Sequence, residues 1–122
     1  MIKVLLVEDD ETTNFISKMV LKDAGVENVD EVLNGEDACN YLEKDCPDFI
    51  FLDIKMPVMD GWEFLDEKKA KGLCKNVKVA MLTSSVHPVD KKKSKKYHCV
   101  IAYIEKPLTQ NKVKVIMDKL SN

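Results

Sequence analysis

The stretch FIFLDIKMPVMDGWEFL, residues 49–65, decides how the rest of the chain reads. Phe49, Ile50, Phe51 and Leu52 are consecutive apolar, β-prone residues, the pattern of a strand covered on both faces; a half-exposed strand would alternate. Asp53 follows at once, then a Pro-Val-Met-Asp-Gly turn ending at Gly61. A carboxylate at the end of a buried strand needs a purpose, and the neighbouring segments suggest one.

Working outward, short apolar runs alternate with longer segments of helical spacing, which predicts an α/β domain built on a parallel sheet. The strand candidates are residues 2–7, 29–33, 49–53, 77–82 and 100–104. Between the first two, Phe15, Ile16, Met19 and Val20 form one apolar stripe, with Gly25 placed as a C-terminal cap; the spacing predicts a first helix. Asn34-Gly35 opens a second helix that buries Ala38, Tyr41 and Leu42 and stops before Pro47. The third is WEFLDEKKAK, ending at Gly72. The fourth, within HPVDKKKSKKYH, has only Val89 and Tyr97 to bury. Val113, Ile116, Met117 and Leu120 give the last helix its inward face, with Thr109 as cap. Without repeats or a composition break, residues 1–122 read as one domain.

Composition narrows the function classes. Of 122 residues 45% are apolar, enough for a real core, and 19 basic against 21 acidic residues leave a formal charge of −2. Nothing global pulls the chain toward nucleic acid or a membrane surface. No segment has the length of a membrane span or the pattern of a signal peptide, so a cytoplasmic protein is expected. Cys39, Cys46, Cys74 and Cys99 show no C-x-x-C pair, and no zinc site or disulfide framework is expected from them: all four read as reduced packing residues. Lys91, Lys92, Lys93, Lys95 and Lys96 read as a solvated face able to steer an acidic protein partner; without interleaved aromatics they do not predict nucleic-acid binding. His87 and His98 read as surface or cap residues, and Trp62 reads equally as a packing residue and as one lying near the site developed below.

In a parallel α/β sheet, ligands bind outside the C-terminal ends of the strands. Glu8, Asp9 and Asp10 end the first strand, Asp53 the third, Thr83-Ser84-Ser85 the fourth and Glu105-Lys106 the fifth. Asp10 alone reads as a helix cap, and Asp60-Gly61 as turn chemistry. The remaining carboxylates repel unless positive charge offsets them. Lys106 supplies one charge, and a divalent cation would supply two. Oxygen ligands without Cys or His suit magnesium, with manganese as a substitute. Carboxylate, metal, hydroxyl and lysine are the parts of phosphoryl transfer, with Asp53 as the nucleophile, since a carboxylate is ionised near neutrality and needs no base.

VEDD at 7–10, LDIKMPVMDG at 52–61, MLTS at 81–84 and EKP at 105–107, each at its strand end, make the chain resemble the receiver domain of two-component response regulators, of the single-domain type like the chemotaxis regulator. The resemblance covers essentially the whole chain. It implies a flavodoxin-like doubly wound fold, a five-stranded parallel sheet of order 2-1-3-4-5 with five helices. It makes Asp53 the phosphoacceptor, and Asp9, Asp53 and the backbone carbonyl of Lys55 the magnesium ligands, with Glu8 acting mainly through water. Thr83 would hydrogen-bond the phosphoryl group, Lys106 would pair with it, and a cis Lys106–Pro107 bond is implied. Tyr103 would be the aromatic switch on the fifth strand, signalling through a face of the fourth helix, fifth strand and fifth helix. The implied partners are a histidine kinase or histidine-containing relay protein and a downstream target protein. Lys55 and Ser85, two residues after the aspartate and the threonine, would tune access of water to the acyl phosphate.

Two other readings are possible. A binding module that kept the fold but lost the chemistry predicts a damaged site, and none of Glu8, Asp9, Asp53, Thr83 and Lys106 is missing. A phosphatase or phosphotransferase of the haloacid-dehalogenase type needs D-x-D at its nucleophile, whereas Lys55 stands two residues after Asp53. The expected protein is therefore a switch that promotes only its own phosphorylation and dephosphorylation, not an enzyme acting on external substrates.

Overall fold

A computed structural model describes residues 2–121. Strands β1 (Lys3–Val7), β2 (Asn28–Val32), β3 (Phe49–Leu52), β4 (Lys78–Thr83) and β5 (Val100–Glu105) alternate with helices α1 (Glu11–Asp23), α2 (Gly35–Lys44), α3 (Gly61–Lys71), α4 (Pro88–Ser94) and α5 (Gln110–Ser121). The sheet order is β2-β1-β3-β4-β5, parallel at every pairing. Each expected strand is present within a residue of its expected ends.

Strand alternation divides the core in two. Leu5, Val7, Ile50, Leu52, Val79 and Met81 face one side and pack with Ala38, Leu42, Phe64 and Leu65 of α2 and α3. Val4, Leu6, Phe49, Phe51, Ala80 and Leu82 face the other and meet Leu21 of α1 and Val113 and Ile116 of α5. Fully burying one such side chain contributes about 1.5–3 kcal/mol, so the central strands β1, β3 and β4 carry the fold. Edge strand β2, with its sequence NVDEV, is buried at none of its positions.

Helix α1 forms where expected but turns a different face inward. Asn14, Ser17 and Leu21 are buried, while Phe15, Ile16 and Met19 are 65%, 41% and 51% exposed. Of the expected stripe only Val20 packs against the core, half-buried; the other three face outward. Two polar side chains take the inner face, and Asn14 is there because its amide donates to the backbone carbonyl of Glu8 at 3.0 Å. Val89 on α4 is also not buried; it is 75% exposed, and Ser94 is the buried residue of that helix.

The cysteines correct a second expectation. Cys46 and Cys74, 28 residues apart, form a disulfide, with Cα atoms 5.7 Å apart. Cys46 lies between α2 and β3, and Cys74 between α3 and β4. Because β3 and β4 are neighbours, the connections entering them meet at the N-terminal rim of the sheet. Cys39 and Cys99 are free.

Candidate functional site

Parallel pairing carries four chain segments to the C-terminal rim. The Asp53 N–H donates to the Val7 carbonyl at 3.0 Å, the Glu8 N–H to Val32 at 3.1 Å, and the Lys106 N–H to Thr83 at 2.9 Å. These backbone bonds extend the ladders one residue past the strands, so Glu8, Asp53 and Lys106 are positioned by the sheet itself. Gly61 is the glycine where the rim beside Asp53 demands a missing side chain. Its N–H donates to the Ile54 carbonyl at 2.8 Å, and a Cβ there would lie 2.2 Å from the carbonyl oxygen of Asp53. Glycine lets the start of α3 close against the aspartate.

Asp53 is buried, and both carboxylate oxygens are engaged. Oδ1 accepts the Ile54 N–H at 2.8 Å, and Oδ2 accepts from the Lys106 ammonium at 2.9 Å. Lys106 also forms an ion pair with Glu8. Carboxylate oxygens of Glu8, Asp9 and Asp53 lie within 4.8 Å of one another, Glu8 and Asp53 buried and Asp9 exposed.

Three carboxylates thus face one ammonium. Burial pushes the Glu8 carboxyl up; the Lys106 hydrogen bond pulls it down, the Asp53 charge adds to the rise, and the result is about 7. Burial alone would lower Lys106, but its hydrogen bonds to Glu8 and Asp53 outweigh that and raise it. Glu8 Oε1 is the oxygen that meets the Lys106 ammonium, and Oε2 accepts the Asp10 N–H at 3.2 Å. Three carboxylates against one ammonium leave an under-neutralised cluster of oxygen donors, which fits a hard divalent cation.

Asp10 is the N-cap of α1, accepting from the Thr13 N–H at 3.1 Å. Asp60 caps α3 in a capping box with Glu63. Both stand outside the cluster, as their sequence context indicated. Lys55 is exposed in the connection after β3, and the Lys106–Pro107 bond is cis. Trp62 is buried at the start of α3, its ring stacked on Tyr97 with centroids 5.8 Å apart.

A hydrogen-bonded path leads away from Thr83. The buried Thr83 hydroxyl oxygen accepts the Ser85 N–H at 3.2 Å. The Ser85 carbonyl accepts from the Tyr103 hydroxyl at 2.9 Å, and its hydroxyl donates to Asp90, in the first turn of α4, at 2.6 Å. Ser85 and Asp90 as connectors, and Asn14 as the support of the Glu8 backbone, escaped sequence reading. The one available signal for Asn14 was a polar residue on a helix whose apolar stripe seemed to account for its packing.

The family model of the response regulator receiver domain matches residues 4–118. Response regulator Rre1 of Synechocystis sp. is 28% identical over 119 residues, covering 98% of this chain and 51% of that protein. The chain spans about half or less of the length of the first curated relatives it matches. Among solved structures, a two component response regulator from Cytophaga hutchinsonii superposes with a TM-score of 0.90 at 31% identity, covering 98% of this chain and 96% of that one. The chemotaxis response regulator CheY4 of Vibrio cholerae does so with 0.83 at 28%, covering 98% of each.

Proposed function

This chain belongs to the response regulator receiver domain family, and we propose that Asp53 accepts a phosphoryl group from a histidine kinase or a histidine-containing relay protein. The observation that carries this reading is the Lys106 ammonium 2.9 Å from Asp53 Oδ2, with the carboxylates of Glu8 and Asp9 gathered beside it. An Asp53 oxygen forms the new P–O bond as the P–N bond of the phosphohistidine breaks, and the imidazole leaves with the electron pair. Lys106 then pairs with the phosphoryl oxygens. The Thr83 hydroxyl, which acts only as an acceptor among the described residues, has its proton free to donate to one of them. Asp9, Asp53 and the Lys55 carbonyl would hold magnesium, or manganese in its place, with Glu8 reaching it through water. An ion held there would supply positive charge to offset that on the phosphoryl oxygens. The chain acts on no external substrate in this reading.

Drawing Thr83 toward a phosphate pulls on Ser85, and through Ser85 on Tyr103 and on Asp90 of α4. That makes Tyr103 the switch and α4–β5–α5 the face that changes. Helix α4 is suited to move: its N-cap, His87, makes no side-chain cap bond, and it buries only Ser94. A groove of about 470 Å³ on this face is floored by residues such as Val100, Ala102 and Ile116 and rimmed by Lys91, Lys95 and Lys119. It is the proposed seat of a downstream target protein, with the remaining α4 lysines steering an acidic partner. The exposed Phe15, Ile16 and Met19 on α1, the helix capped beside Asp9, offer the phosphodonor an apolar footing. We place this activity in the cytoplasm, within a single receiver unit.

Incubation with magnesium and acetyl phosphate followed by intact mass measurement tests the acceptor. One added phosphoryl group is expected on the wild type and none on Asp53→Asn; equal gain by both would move the acceptor elsewhere.

A further inference from the structure

A second concave site lies at the opposite rim of the sheet, between the C-terminal turn of α3 and the connection from α4 to β5. It encloses about 260 Å³. Its floor is apolar, made by Leu65, Leu73, Cys99 and the Tyr97 ring. That ring is held in place: its hydroxyl donates to Asp66 at 2.9 Å, and its face stacks on Trp62.

The charges around this floor are of one sign. Lys69, Lys75 and Lys96 stand exposed at the rim and buried Lys68 is part of the lining, while among the described residues no lining residue is acidic. Lys68 is the telling group. It is 5% exposed, its ammonium donates to the Cys74 carbonyl at 3.3 Å, and it makes no ion pair with a carboxylate of the described residues. A buried ammonium has three protons to place, and a single long bond to a neutral carbonyl leaves it under-compensated.

From this geometry we infer that the pocket binds a small amphipathic anion, a sulfonate, carboxylate or phosphate monoester on a compact apolar body. The anionic group pairs with Lys68 and one or two rim lysines, and the apolar body lies against Leu65, Leu73 and the Tyr97 ring. The volume falls just below the range of drug-sized ligand sites of about 300–1,000 Å³, so one ring or a short chain fits. The C-terminal carbonyls of α3, which would repel an anion, are shielded: Gly72 N–H caps Lys68 and Lys69, and Leu73 N–H donates to Lys68.

The test is an NMR titration of isotope-labelled protein with benzenesulfonate in magnesium-free buffer, with the neutral isostere benzenesulfonamide alongside. Saturable amide shifts are expected at Lys68, Leu73 and residues 96–99. The sulfonamide and the Lys68→Met variant should each bind about tenfold more weakly, the loss expected on removing one charged hydrogen bond. A Lys69→Gln/Lys75→Gln/Lys96→Gln variant leaves the interior untouched and should weaken binding comparably, which decides the matter if Lys68→Met fails to fold. Equal affinity for sulfonate and sulfonamide, or unsaturable shifts spread over Lys91–Lys93, would overturn the site.

Discussion

Lys106, just past the end of β5, and Lys68, on α3, carry ammonium groups at opposite rims of the sheet and in opposite electrostatic situations. Lys106 sits among an excess of carboxylates and touches two of them; Lys68 sits among other cations and, among the described residues, its ammonium meets a carbonyl and no carboxylate. The first rim is short of positive charge and suits a cation followed by a phosphoryl group held by the lysine. The second is short of negative charge and suits an anion. Burial of a charge is therefore not by itself a sign of stabilisation; what decides is the company it keeps.

The sharpest test is to remove the first lysine. Lys106→Met leaves Asp53 as a buried charge without its cation and drives Glu8 toward its neutral form, and a loss of about 3 kcal/mol is expected in urea unfolding without divalent cations, read as a lower midpoint at constant slope. A loss below about 1 kcal/mol would mean that solvent already neutralises the acidic rim. The lysine-rich rim has its own restraint in Cys46–Cys74, which closes a loop spanning 28 residues. Reduction, or Cys46→Ser/Cys74→Ser, should cost about 3 kcal/mol in the same assay, and phosphorylation of Asp53 at the far rim should persist.

A smaller effect concerns Tyr97, whose ring forms part of the floor of the second pocket. Burial first, and then its hydrogen bond to Asp66, push its hydroxyl up to about 12. A folded value above the unfolded one, about 10, means that the stability it contributes is complete below pH 10 and is lost as pH climbs toward 12. Absorbance at 295 nm should show a late phenolate component that disappears in Tyr97→Phe; an unchanged titration would show that the ring is not held as described. Smallest of all should be Lys68→Met. Cys74 O keeps the Val77 N–H at 3.0 Å, no carboxylate is stranded, and the change is expected to fall within about 1 kcal/mol of zero. A cost like that of Lys106→Met would erase the contrast between the two rims.

The C-terminal rim was readable before any coordinates because each residue there follows a β-rich run, and parallel strands deliver their last residues to one edge. Asp53 and Lys106, 53 positions apart, could be paired by topology alone. The Lys68 pocket was not readable: its residues come from the ends of α3 and α4, where no rule says which side chains converge. Ser85 was legible as a neighbour of Thr83 but not as the link between Tyr103 and α4, because its backbone carbonyl has no sequence signature.

What the chain's own letters determined is periodic and local: five apolar runs, five helical segments, and the placing of acids, hydroxyl and lysine at strand ends. Hydrophobic burial enforces such periods wherever they occur, so they survive without knowledge of neighbours. Tertiary packing alone decided which face of α1 turns inward, that Cys46 finds Cys74, and that half-buried Lys106 meets carboxylates while buried Lys68 meets none among the described residues. Each of these depends on which distant surfaces come to share the same space, and spacing along the chain does not contain that distance.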